Sequence, residues 1–140
     1  MNLVLTLCAL LAGLAAAPPP VEYAAGQVWT YDARPGEENS RLYIALVETL
    51  PNGEPVYHIA LDGLSIQTPG GVESELGHAP VSRATLDASV TEKVADGAAM
   101  PDIREGYASW RAAFDDGGAG IWDVPVRDIV AFIEQALSNG

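Results

Sequence analysis

Polar and apolar residues alternate at period two over the first half of the chain beyond residue 25, and the second half shifts to helical spacing. Gln27–Asp32 contains Val28, Trp29 and Tyr31 and ends in the turn-forming Arg34-Pro35-Gly36, which predicts a first strand. Arg41–Thr49 is apolar on both alternating faces between charged ends, the pattern of a central strand covered on two sides. Asn52-Gly53 supplies the positive φ of a hairpin turn. Val56–Asp62 then returns, with Tyr57, Ile59 and Leu61 on one face and Val56, His58, Ala60 and Asp62 on the other. Leu64–Gln67 reads as a fourth short strand before Pro69-Gly70-Gly71, which completes an antiparallel meander.

Three helices are predicted next. Ser82 is an N-cap for a helix reaching about Val94, with Leu86, Val90 and Val94 at i, i+4, i+8. Asp102 and Glu105 have capping-box spacing, and Ile103, Tyr107, Trp110 and Phe114 form a core-facing stripe that Gly117-Gly118 ends. A short strand at Ile121–Val124 leads to Val126–Leu137, whose inner face is Val126, Ile129, Val130, Ile133 and Leu137. Strands first and helices later predict an α+β fold, with about three helices of the C-terminal half packed on an antiparallel sheet. Trp29 and Trp122 are expected in the same core.

Leu3–Ala17 is a different kind of segment. Residues 1–17 carry no charged side chain, and Pro18-Pro19-Pro20 follows. Fifteen helical residues span about 22 Å, short of the ~30 Å hydrocarbon layer, so the segment reads as a secretory signal peptide and not as a membrane span. The expected organisation is a signal at 1–17, a Pro-rich leader at 18–25 and one domain at 26–140, in the periplasm or secreted. The single cysteine, Cys8, falls inside the signal, so a cleaved chain has no thiol chemistry, Cys-ligated metal or disulfide.

With 19 acidic and 7 basic residues the chain carries a net charge of −12, which argues against nucleic acid as a partner. His58 and His78 are the candidates for acid–base or metal chemistry, with Asp62 along the strand as the carboxylate. Their spacing matches no metal-binding motif, and no metal or cofactor is expected. The loop Arg34, Glu37, Glu38 and Arg41 is the densest polar cluster and the first candidate for binding. Asp115–Gly120 reads as a helix end, since the glycines follow a helix instead of opening one. No G-x-S-x-G nucleophile elbow occurs.

Gly26-x-Val28-Trp29-x-Tyr31-x-x-Arg34-Pro35-Gly36-Glu37-Glu38-x-Ser40-Arg41-Leu42 resembles the opening of a group of small bacterial proteins to which no activity is attached. His58-Ile59, His78 and Glu105-Gly106-Tyr107-x-x-Trp110-Arg111-x-x-Phe114 are similar too, and the likeness spans roughly residues 26–137. The resemblance implies only that the Arg34–Leu42 loop and His78 merit attention. The expectation is an exported acidic binding or accessory module with an unidentified protein partner. Two other classes compete with it. One is a small hydrolase or metal-assisted enzyme built on His58, His78 and a carboxylate. The other is an oligomerising module with an exposed apolar patch or an open strand edge.

Overall fold

The computed structural model describes residues 19–139, so the segment 1–17 expected to be a signal, with Cys8, lies outside the described residues. The chain is α+β. Five antiparallel strands form the main sheet: β1 (Val28–Tyr31), β2 (Leu42–Thr49), β3 (Pro55–Leu61), β6 (Leu76–Val81) and β7 (Val90–Ala95). Their order is β6-β3-β2-β1-β7, and β4 (Ile66–Thr68) with β5 (Gly71–Glu73) makes a separate hairpin. The β2–β3 turn forms as expected, with Gly53 at φ 86°. The helices are α1 (Arg83–Ser89), α2 (Arg104–Asp115) and α3 (Val126–Ser138).

One sheet face carries Trp29, Tyr31, Leu42, Ile44, Tyr57, Ile59 and Val81, packed against Leu86 of α1 and Val126, Ile129 and Val130 of α3. Tyr23, from the leader, belongs to the same core and donates its hydroxyl to Asp87 at 2.6 Å. On the opposite face α2 lies across β3 and β6 through Tyr107 and Trp110, whose rings meet His58.

The elements depart from the sequence pattern in several places. Ser82 does cap α1, accepting from the Thr85 amide, but the helix ends at Ser89 instead of Val94. Val90–Ala95 is extended because the free edge of β1 offers pairing partners, Tyr31 opposite Val90 and Thr30 opposite Glu92, and β-branched Val90 and Thr91 suit that edge. His78 lies on strand β6 and not in a loop. Gly77 and Pro80 disguise that strand in the sequence, yet β6 is an edge, where proline is tolerated. Asp102 accepts from the Arg104 amide and pairs with the Arg104 guanidinium, which leaves Ile103 as the N-cap of α2 without the expected capping box. Ile121–Val124 contributes one bridge, Val81 to Trp122, instead of a strand. Leu137, assigned to the inner face of α3, is exposed.

Candidate functional site

His58 is wholly buried at 0% exposure, although it lies on a face read as the less apolar one. Its Nε2 lies 2.7 Å from Glu48 Oε1, and its Nδ1 lies 2.8 Å from Nε2 of His78. Glu48 also meets the Tyr107 hydroxyl at 3.3 Å and the Arg111 guanidinium at 3.4 Å. The two imidazoles stack at 5.1 Å between centroids, and Tyr107 and Trp110 each stand edge-on to His58 at 4.9 Å.

Four elements build this line of groups. His58 faces Pro80 across the β3–β6 ladder, which sets His78 on its diagonal, within reach of a long ring. Glu48 arrives by a different device. The β2–β3 register slips between Ile44 and Leu46, a bulge that inserts Ala45. Beyond it β2 turns over, so Leu46 opposes His58 and Glu48 emerges on the histidine face. Helix α2 then closes the top, and at Gly106 its backbone comes so near His78 that a Cβ there would stand 2.5 Å from the His78 Cβ.

The bonding order assigns the protons. The Glu48 carboxylate accepts from His58 Nε2–H, which makes His58 Nδ1 the acceptor for His78 Nε2–H. What remains is the lone pair on His78 Nδ1, which has no partner among the described residues. Burial pushes the His58 imidazole below the usual histidine range against the opposing pull of Glu48. Burial, with His58 alongside, takes His78 down to about 4. Both rings are therefore neutral at pH 7, and the chain is a carboxylate–imidazole–imidazole relay that ends in a weak base.

This geometry has a pH consequence. The folded histidines bind protons less readily than the unfolded ones, so their contribution to stability is complete above about pH 6.5 and falls as pH drops towards 4. We expect urea unfolding to lose about 2 kcal/mol over that window, after allowance for solvent around His78. In His78→Gln the loss should shrink, while a second loss persists at lower pH from carboxylates held down by partners, such as Glu37 beside Arg34. A wild-type stability that stays flat from pH 6.5 to 4.5 would show that the rings are not held neutral.

Asp62 is not part of the line. It lies just past the end of β3, four residues and about 13 Å of extended chain from His58, and accepts instead from the Arg41 amide and the Tyr43 hydroxyl. The polar loop is brought together, but mostly with itself. Arg34 holds Glu37 at 2.7 Å and Glu134 of α3 at 3.1 Å. Glu37, almost fully buried, accepts the Ser65 amide, and Glu134 accepts that of Gln67. Glu38 accepts the Gly36 amide, and Arg41 donates to the Ser40 carbonyl. These bonds fasten the loop to the segment around β4 and to α3. Glu48 carries no signal in the sequence, and Gly106 and Arg111 stand out there only within the Glu105–Phe114 resemblance. Gly106, inside an otherwise helical pattern, was the one local sign of a close backbone approach.

A second feature adjoins the histidines. Trp110 also lines a cleft of about 370 Å³ with Pro80, Ala119, Gly120, Ile121 and Trp122. Its indole N–H donates to the Gly120 carbonyl at 2.9 Å, so one ring touches His58 and helps to wall the cleft. Trp122 is half-buried and stands edge-on to Phe132, which is 58% exposed, and Val124 is also exposed. A second cleft, of about 480 Å³ between Pro55 and Asp123, shares Ile121 with the first.

Among the described residues no group of three or more His, Cys, Asp or Glu side chains is arranged to hold a metal ion, and no helix is long and apolar enough to cross a membrane. No family model, curated protein or solved structure matches this chain.

Proposed function

We propose that this chain is an exported acidic module that works by binding a protein partner, and that the apolar surface around Trp122 is its contact face. The supporting observation is the grouping of half-buried Trp122 with exposed Phe132 and Val124 beside a cleft walled by tryptophan. Large apolar side chains clustered at a surface mark interaction sites more reliably than scattered ones. The expected result is that a photo-crosslinking residue at position 132 or 124 captures one protein in the secreting cell, identified by mass spectrometry. The same probe at Glu92, on the far sheet edge, should capture none. Absence of an adduct at both 132 and 124 would end this reading.

A second reading has one specific observation in its favour. His58 and His78 converge with a carboxylate, as acid–base chemistry requires, although the carboxylate is Glu48 and not Asp62. Neither histidine lines the clefts given above, and among the described residues no hydroxyl or thiol hydrogen-bonds to His78, so this reading ranks below binding. It requires a turnover that vanishes in His78→Gln.

A further inference from the structure

Resting on the binding reading, we propose that the Trp110–Trp122 cleft receives an apolar side chain from an extended segment of the partner, flanked by Lys or Arg and added as a strand along Ile121–Asp123. Two independent features identify that occupant. The first is backbone polarity. Trp122 N–H donates to the Pro80 carbonyl and its own carbonyl accepts from Ser82, so the segment already lies along the β6 edge in extended form. The Ile121 and Asp123 amides make no intramolecular hydrogen bond among the described residues. A neighbouring strand would take up such outward groups, with side-chain pockets choosing the sequence.

The second feature is charge. Glu54 and Asp123 line the adjoining cleft, and Asp115 and Asp116 precede the Gly117–Gly120 lip. The basic residues nearby are already engaged. Arg83, which lines the same cleft, pairs with Asp87 and lies over Tyr23, and Arg111 reaches Glu48 and Asp115. On a chain of net charge −12, a cationic segment is drawn in and an acidic one is repelled.

The test uses the full chain and three capped peptides followed by NMR: Lys-Val-Leu-Val-Lys, the same peptide with both lysines replaced by glutamate, and the lysine peptide N-methylated at its second and third residues, so that one methyl faces the added edge in either register. The lysine peptide should shift the Ile121, Trp122 and Asp123 amides. The glutamate and N-methyl peptides should each bind about tenfold more weakly. Equal binding of the lysine and glutamate peptides overturns the charge argument, and equal binding of the N-methyl peptide overturns strand addition. If no peptide binds while position 132 still captures a partner, this occupant is wrong and the binding reading survives. If both experiments fail, both fall.

Discussion

Replacing His58 by alanine is expected to destabilise the fold by about 3–5 kcal/mol, measured by urea unfolding at pH 7. Two costs combine. The ring is completely buried between Tyr107, Trp110 and His78, so its removal leaves a cavity that the stiff sheet cannot close. Glu48 and His78 also lose their shared partner at once. Asp62→Asn, just past the end of the same strand, should cost much less, because a neutral amide can still accept from the Arg41 amide through its carbonyl oxygen. If His58→Ala costs less than about 1 kcal/mol, the histidine line is not a structural centre, and the account of α2 docking given above fails.

Gly106→Ala should reverse the usual sign. Within an exposed helix this change stabilises by up to about 1 kcal/mol, because alanine restricts the unfolded chain. Here the added methyl would stand 2.5 Å from the His78 Cβ, a backbone-proximal atom that no rotamer change can withdraw. Helix α2 must lift from the sheet, at a cost of about 1–3 kcal/mol. The double change with His78→Gly removes that Cβ, so a thermodynamic cycle should show strong positive coupling between the two sites. A stabilised Gly106→Ala would mean that α2 rides higher over His78 than described.

The α+β class, the first three strands and the span of α3 were legible because each follows from a local period. What failed had non-local causes. Strict alternation from Leu42 and Ile44 sends Glu48 to the main-core face, and only the Ala45 bulge, a feature of pairing between strands, brings it to His58. The same alternation carried the strand on to Asp62, whereas β3 ends at Leu61, and it could say nothing of the distance to His58. Leu86, Val90 and Val94 have a helical period, yet the open edge of β1 outbid it for Val90–Ala95. The two histidines do meet in the fold, as the pattern alone could not say. Their partner was invisible because β2 changes face midway.

The position of Trp110 makes the protein its own optical reporter. An excited indole donates electron density to a protonated imidazole in contact with it far more readily than to a neutral one, and His58 is in such contact at 4.9 Å. The same ring walls the cleft beside Trp122. With Trp29 alone changed to phenylalanine and the cleft left intact, indole emission would respond both to acid arriving from one side and to an occupant arriving from the other, without any dye attached.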